Sequence, residues 1–167
     1  IKHGGFSPFG FWQYSDDPEL HLLRAEAYTQ SKYFQEAVPI NPAESQSRKI
    51  KLAFFSSDFR THPVTFLILK VLEQLDRKVF EVSAYSFEPD TGDEFRKMVE
   101  KTVDKFFDIS RMGDEDVFKL GREEKLDIAI DLTGYTDKDR CIVFAKRIAP
   151  VQINFLGYPG TSGSGFF

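Results

Sequence analysis

Short apolar segments alternate with amphipathic segments from Ile50 to Leu156, and this alternation constrains the fold more than any other feature of the 167-residue chain. Ile50–Ser56 is an apolar run of strand length, and Pro63–Leu75 follows it with aliphatic residues at helical spacing. The pattern predicts an α/β fold, a Rossmann-like parallel sheet with helices on both faces. It continues as strand and helix in turn over Val79–Phe87, Asp93–Val103, Lys105–Ile109, Asp114–Glu124, Asp127–Leu132, Asp137–Arg147 and Val151–Leu156.

The residues before this alternation predict a separate amino-terminal segment. Asp17 and Pro18 suit the cap and the first position of one helix, and the flanking residues show no period. A stretch rich in proline and polar residues then indicates a connector. We therefore divide the chain into an amino-terminal segment with one helix and a linker, residues 1–47, and a Rossmann-like domain, residues 48–167.

Composition and charge disfavour several classes of function. The net charge is −4 and the lysines and arginines are scattered, so the chain lacks the basic patch typical of nucleic-acid binding. No apolar run reaches the roughly 20 residues of a membrane span, and no signal-peptide pattern opens the sequence. One cysteine, Cys141, rules out an internal disulfide and fits a reducing compartment, so we expect a cytoplasmic protein. Three histidines and that cysteine disfavour a structural zinc site.

Parallel sheets bind ligands at the carboxyl ends of their strands, and the first such loop here is Ser57–His62. His62 could accept a proton from a hydroxyl or donate a hydrogen bond to a sugar or phosphate oxygen, and Asp58 could be a second polar ligand. The same residues also have a structural interpretation. In it, Thr61 or His62 caps the next helix, Pro63 occupies its first position and Asp58 forms a turn.

A second loop combines glycine with hydroxyl side chains directly after the predicted strand Asp127–Leu132. Glycine there lets the backbone turn sharply or approach a ligand closely. The hydroxyls could bind a sugar, or they could cap the next helix instead. The residues of this loop are Thr133, Gly134, Tyr135 and Thr136.

A third loop follows the last predicted strand, with three glycines, one proline, one threonine and one serine within Gly157–Gly163. Its exposed N–H groups could hold an anion or a sugar, although an ordinary surface turn fits the same composition. It is not a P-loop because no lysine follows the glycines, and the lack of glycine in Ser57–Pro63 disfavours NAD. The residues that would face a ligand are Gly157, Tyr158, Pro159, Gly160 and Thr161.

Four segments of the chain match a known family in order and spacing: KIKLAFFSSDFRTHP, FEVSAYSFEPDTG, DLTGYT and APVQINFLGYPGTSG. Through them, Lys49–Gly163 resembles the amino-terminal catalytic half of the O-linked N-acetylglucosamine transferase and SPINDLY-like family, glycosyltransferase family 41. Ser15–Leu20 is also similar to the helix that precedes the catalytic region in bacterial members.

The resemblance implies the GT-B architecture, in which two Rossmann-like domains face each other across a cleft. It implies inverting transfer of a sugar from a UDP-sugar to a protein Ser or Thr hydroxyl, without a metal ion or cofactor. N-acetylglucosamine is the expected sugar, and fucose and glucose are the alternatives. By motif, His62 is the catalytic histidine, Gly157–Thr161 face the sugar and diphosphate, and Thr133–Thr136 lie on the acceptor side. A carboxy-terminal domain with the uridine site would follow Phe167, so we expect a truncated piece that is inactive alone.

Two other interpretations are compatible with the sequence. One is a non-catalytic Rossmann-like module that binds a ligand or a protein, although a receiver-like version is disfavoured because Asp58 stands alone after the first strand. The other is a fragment without activity that self-associates through a surface left apolar by the missing domain. A homo-oligomer is therefore a further expectation.

Overall fold

The computed structural model describes residues 7–34, 37–40 and 48–167. In these ranges the strands are β1 Ile50–Ser56, β2 Phe80–Ser86, β3 Lys105–Asp108, β4 Ile128–Asp131 and β5 Val151–Asn154. The helices are α1 Pro8–Phe11, α2 Pro18–Tyr33, α3 Pro63–Gln74, α4 Glu94–Thr102, α5 Asp114–Glu123 and α6 Cys141–Ala145. The predicted boundary at residue 47 and most of the predicted linker fall on residues 41–47, which lie outside the described residues.

The strands form one parallel sheet in the order β3-β2-β1-β4-β5. The chain builds from β1 outward through β2 to β3, and then returns to the other side of β1 for β4 and β5. The order therefore reverses between β1 and β4. At such a reversal the loops on either side part and leave a crevice at the carboxyl ends of the strands, where ligands bind.

Both faces of the central strand β1 are buried from Leu52 onward, as its apolar run Leu52–Phe55 requires. Ala53 and Phe55 belong to the core that α5 and α6 cover, whereas Leu52 and Phe54 belong to the core that α3 and α4 cover. This division follows from the two-residue period of a strand. The predicted parallel sheet with helices on both faces is thus confirmed.

The helix α2 packs outside the sheet and its two helical layers, against α6 and the loops that leave the sheet. It begins as the sequence predicts, because the Asp17 carboxylate accepts hydrogen bonds from the N–H groups of Glu19 and Leu20 at 2.9 and 3.4 Å. Its inner face packs Tyr28 and Tyr33 into a separate aromatic cluster. The loop and α6 residues of that cluster are Tyr135, Cys141, Ala145 and Tyr158.

The structure differs from the sequence prediction at two helices. Asp137–Arg147 was predicted as one helix, but only Cys141–Ala145 is helical. Lys138 has a positive φ of 61°, and the Asp139 carboxylate turns to the Lys32 amine of α2 at 3.1 Å, so the preceding residues form a loop. The helix α1 was not predicted, because its four residues are too few to display a period. Within the described ranges, no helix is long and apolar enough to cross a membrane.

Candidate active site

Three loops meet at the carboxyl edge of the sheet and enclose a cleft of about 320 Å³. Asp58 and His62 come from the loop after β1, Thr136 from the loop after β4, and Gly157 from the segment after β5. The cleft therefore lies at the reversal of strand order, where the sheet topology predicts a ligand site.

His62 occupies the cap position of α3 and also lines the cleft. Its Nδ1 accepts a hydrogen bond from the Val64 N–H at 3.3 Å, and the same nitrogen lies 3.7 Å from Asp58 Oδ2. Because Nδ1 accepts, the neutral ring carries its proton on Nε2. The capping interpretation of His62 is confirmed, and it leaves Nε2 for other chemistry.

Asp58 is held rigidly beneath His62. Its own N–H donates to Ser56 Oγ at 2.9 Å, and its carbonyl oxygen accepts a hydrogen bond from the Thr65 hydroxyl. Its Oδ1 accepts from Arg60 Nη2 at 2.9 Å, while Oδ2 faces the imidazole. The largely buried carboxylate thus links a cation and an imidazole at the floor of the cleft.

The loops after β1 and β4 are joined by a buried hydrogen bond. The Ser57 N–H donates to Thr133 Oγ1 at 3.1 Å, and Thr133 is only 1% exposed. The hydroxyl of Thr133 therefore holds two loops together and does not line the cleft. Thr136 lies at the cleft, and its hydroxyl donates to the Thr133 carbonyl oxygen at 2.9 Å.

A buried carboxylate at the end of β4 organises the second loop. Asp131 accepts hydrogen bonds from the N–H groups of Thr133 and Gly134 at 2.9 and 3.0 Å, and from Asn154 Nδ2 at 3.3 Å. Burial raises the pKa of Asp131, the hydrogen bonds lower it, and burial outweighs them, so the pKa is about 6. The sequence analysis did not single out Asp131 or Asn154, although a charged residue at the end of an apolar strand was an available signal.

Two glycines allow the second and third loops to pack directly on each other. Gly134 has φ of +58°, and a Cβ added there would lie 2.4 Å from the Tyr158 Cβ. A Cβ on Gly157 would lie 2.0 Å from the Leu132 carbonyl oxygen. The backbone of Gly157 therefore reaches the cleft only because it carries no side chain.

Several residues that the sequence analysis placed at the ligand do not line the cleft with their side chains. Tyr135 is 1% exposed and stacks on Tyr33 with ring centroids 5.9 Å apart. Tyr158 is buried beside it, at 5.4 Å between ring centroids. These two rings fasten the loops to α2. The remaining predicted residues that are absent from the lining of the cleft are Thr133, Gly134, Pro159, Gly160 and Thr161.

The structure adds residues to the cleft that the sequence analysis did not connect with it. Phe9 of α1 forms an apolar wall, and Arg60, Asp137 and Lys138 bring charges of both signs. The Lys138 amine donates to Glu88 Oε2 at 2.6 Å, so it ties the loop after β4 to the loop after β2. Over the described part of the chain, no three His, Cys, Asp or Glu residues are grouped to hold a metal ion.

Fold and cleft together define an α/β protein with a polar cleft at the switch point of a parallel sheet. Residues 27–167 match the sequence profile of glycosyl transferase family 41, and the chain belongs to that family. It is 31% identical over 121 residues to the probable UDP-N-acetylglucosamine–peptide N-acetylglucosaminyltransferase SEC of Arabidopsis thaliana, covering 72% of this chain and 12% of that protein.

Two further relatives extend the similarity. The probable UDP-N-acetylglucosamine–peptide N-acetylglucosaminyltransferase SPINDLY of Petunia hybrida is 30% identical over 152 residues, which cover 89% of this chain and 16% of that protein. A solved structure of the Thermobaculum terrenum O-GlcNAc transferase mutant K341M superposes with a TM-score of 0.82 at 27% identity, over 93% of this chain and 30% of that chain. The expected fold, one Rossmann-like half of a GT-B glycosyltransferase, is confirmed, and the chain spans a minor part of the length of these relatives.

Proposed function

We propose that this chain forms one wall of the active site of an inverting glycosyltransferase, within a longer protein. The reaction transfers N-acetylglucosamine from UDP-N-acetylglucosamine to a Ser or Thr hydroxyl of a protein. Membership of family 41 and the names of the relatives support the donor and the acceptor class. The observation that carries the assignment within this chain is the imidazole of His62 at the switch-point cleft.

In this reaction the acceptor oxygen forms a bond to the anomeric carbon while the bond from that carbon to the diphosphate oxygen breaks. The hydroxyl proton leaves to a base, and the UDP carries away the electron pair of the broken bond. We propose that the backbone from Gly157 to Thr161 faces the sugar, and that the segment Thr133–Thr136 shapes the acceptor side. A lysine in a further, carboxy-terminal domain would stabilise the diphosphate, so the transfer would need no metal ion or cofactor.

The geometry of His62 defines what it can do in that reaction. With Nδ1 accepting the Val64 N–H, the neutral ring offers the Nε2–H as a donor to a substrate oxygen. To accept a proton at Nε2 the ring must first carry its proton on Nδ1. That tautomer gives up the bond from the Val64 N–H and directs its N–H toward Asp58 Oδ2, which must approach from 3.7 Å to accept it. We therefore assign Asp58 as a positioning residue that supports the basic tautomer of His62.

The test replaces His62 with asparagine in the longer protein that contains this chain. Asparagine is a good helix cap, so the variant should keep the start of α3 and lose only the imidazole. We expect kcat for transfer to fall by about 10²–10⁴-fold, because general acid–base catalysis contributes that much. Steady-state transfer of labelled N-acetylglucosamine to a protein acceptor measures it, across a range of pH.

Two measurements accompany that substitution. The unfolding midpoint of His62→Asn should stay near that of the unaltered protein, which shows that the cap is kept. Asp58→Asn should lower kcat less than His62→Asn does, because it removes only the support of one tautomer. Full transfer activity in His62→Asn would contradict the assignment. A protein that binds UDP-N-acetylglucosamine and never transfers the sugar would favour the non-catalytic module.

We further propose that the 167-residue chain is inactive by itself, and its small share of the length of its relatives supports this. A cytoplasmic location is part of the proposal and is supported by the single, buried and free thiol of Cys141. A bacterial source is also proposed, on the similarity of Ser15–Leu20 to the corresponding helix of bacterial members.

A further inference from the structure

A further cavity of about 320 Å³ lies at the amino edge of the sheet, opposite to the candidate active site. One wall is the end of α5 with the loop that leads into β4, and the other is the loop that leads from α6 into β5. Among the described residues, none lines both this cavity and the cleft. The proposed transfer reaction therefore leaves this cavity without a role.

The floor of the cavity is apolar and closely packed. Leu126 is 4% exposed, and Ile148 is fully buried. A Cβ on Gly121 would lie 2.4 Å from Ile148 Cδ1 and 3.4 Å from Leu126 Cδ1, so the end of α5 packs directly on both side chains. Ile40 and Pro150 are half-buried and add apolar surface that solvent reaches. The cavity thus offers a ligand a preformed apolar surface.

The Arg122 guanidinium connects the walls of the cavity. Its Nη1 donates to the Arg147 carbonyl oxygen at 3.2 Å, and its Nη2 donates to the Pro39 carbonyl oxygen at 3.0 Å. The Val38 N–H donates to the Lys146 carbonyl oxygen at 3.2 Å, so the segment with Pro39 is fixed beside the cavity. Because a guanidinium has five N–H donors, others remain for a ligand while the side chain is already held in place.

Lys125 presents a second cation from an unusual backbone position. It follows the cap of α5 with a φ of 55°, where glycine is favoured because a Cβ is strained there. In the described part of the chain, the exposed Lys125 amine has no ion pair or hydrogen bond. A lysine there also favours the helix dipole, which is the structural interpretation of this residue.

The carboxylates near these two cations are directed elsewhere. Glu124 and Asp127 form ion pairs of 2.7 Å with Lys105 and Arg48. Glu123 is exposed and does not belong to the lining of the cavity. Both charged side chains among the described lining residues are therefore cations, and the electrostatics of the cavity favour an anion.

We propose that this cavity binds a small organic carboxylate. The carboxylate group pairs with Arg122 and Lys125, and the apolar body of the ligand packs on Ile40, Leu126 and Pro150. One amine and a guanidinium that is already bonded to two carbonyl oxygens match a single negative charge better than a phosphate dianion. A volume of about 320 Å³ accommodates a body of one or two rings. The proposal does not depend on the transfer reaction.

The test measures the Kd of 2-naphthoate, and of its neutral isostere 2-naphthamide, for the longer protein that contains this chain. Titration followed by methyl NMR of labelled isoleucines gives the Kd and, through the Ile40 resonance, the site. We expect a Kd of about 1 mM for 2-naphthoate, as its number of non-hydrogen atoms allows, and binding at least about fivefold weaker for 2-naphthamide. Equal Kd values, an unchanged Ile40 resonance, or no binding of 2-naphthoate at about ten times that concentration would overturn the proposal.

A variant of Lys125 separates ligand binding from the stability of the helix end. Lys125→Gly removes the amine and supplies the residue that the backbone favours there, so it should keep the fold. Lys78→Ala is the charge-matched control, because Lys78 is an exposed lysine before β2 that does not line the cavity. We expect Lys125→Gly to raise the Kd of 2-naphthoate about fivefold, and every other Kd to change by less than about twofold.

Two outcomes of the variant would contradict the proposal. An unchanged Kd of 2-naphthoate in Lys125→Gly would show that Lys125 serves only the end of α5. An equal rise of the Kd for both ligands would show that the substitution distorts the cavity and that the amine does not pair with the carboxylate.

Discussion

Asp131 shows at the scale of one residue how a buried group can order a loop and respond to pH. Its two carboxylate oxygens accept hydrogen bonds from two backbone N–H groups and the Asn154 amide, and these bonds fix the loop after β4. The same burial raises its pKa to about 6, above the ordinary value of 3.8. The folded protein therefore holds a proton that the unfolded chain releases, over the interval between those two values.

This difference predicts a fall in stability as the pH rises. Between about pH 4 and pH 6 the folded state binds more protons at Asp131 than the unfolded state does, so its contribution is fully present below pH 4 and is lost as the pH passes 6. We expect the free energy of unfolding to drop by about 2 kcal/mol relative to Asp131→Asn across that interval. Urea unfolding of both proteins at several pH values measures it.

Asp127 provides the control. Burial alone would raise the pKa of Asp127, but hydrogen bonds from Arg48 and from the Lys51 N–H outweigh it and hold the pKa below its usual value. The contribution of Asp127 to stability is fully present above the pKa that this carboxyl has in the unfolded chain, and it is lost as the pH falls below that value. The difference between the unaltered protein and Asp127→Asn should therefore stay constant above about pH 5, and a constant difference for Asp131→Asn as well would contradict the prediction.

At the scale of elements, the contact between the segment after β5 and the end of β4 is the most sensitive to a small change. A methyl group at Gly157 would overlap the backbone oxygen of Leu132, and backbone cannot rotate aside as a side chain can. We expect Gly157→Ala to lower the free energy of unfolding by about 2–3 kcal/mol, as overpacking does. Thermal or urea unfolding measures the loss.

Gly165 allows a matched comparison in the same carboxy-terminal stretch. A Cβ there meets nothing within 4 Å, so Gly165→Ala should change the free energy of unfolding by less than about 0.5 kcal/mol. Equal stability of the two variants would show that the segment after β5 moves freely enough to accept the methyl group.

The elements also show which parts of the molecule the sequence predicts. β1 and α3 carry an apolar period within their own residues, and both were predicted within a residue or two. The shortened α6 was missed because Asp139 bonds to residues of α2, more than a hundred positions away along the chain. Local spacing cannot report such a contact.

The residues of the candidate site also fall into two groups, those that a local sequence pattern identifies and those that only tertiary packing brings to the cleft. His62 and Asp58 were selected because a polar loop between a strand and a helix is a local pattern, and both line the cleft. Phe9 reaches it only through the packing of α1 on the loops after β4 and β5. Tyr135 and Tyr158 were selected with their loops, yet tertiary contacts with α2 and with each other bury their rings. The roles of all these residues in transfer stay predictions.

At the scale of the whole molecule, the edge strand β5 leaves an apolar surface open. In the part of the chain that the structure describes, β5 pairs only with β4. Val151 and Ile153 alternate along it, Phe155 follows its last residue, and each of the three is exposed by more than 40%. An open strand edge with apolar side chains favours pairing with another chain.

We therefore expect the isolated 167-residue chain to self-associate as its concentration rises. Ile153→Lys should shift the chain toward the monomer, because a charge on an edge strand opposes pairing. Sedimentation velocity at several concentrations measures both proteins. A chain that stays monomeric at every concentration would show that the edge of β5 does not pair with another copy. It would contradict the expected homo-oligomer.

The hydrogen bond between the Ser57 N–H and Thr133 Oγ1 orders the walls of the cleft when the chain folds, before any ligand binds. It joins the loops on the two sides of the switch point, and Asp131 and Asn154 extend that junction to β5. Most of the conformational entropy of these loops has therefore been lost when the chain folds, before any substrate arrives. If the proposed partner domain closes over this wall, it meets a preformed surface, so the ordering cost of assembly falls on the partner and on the substrate.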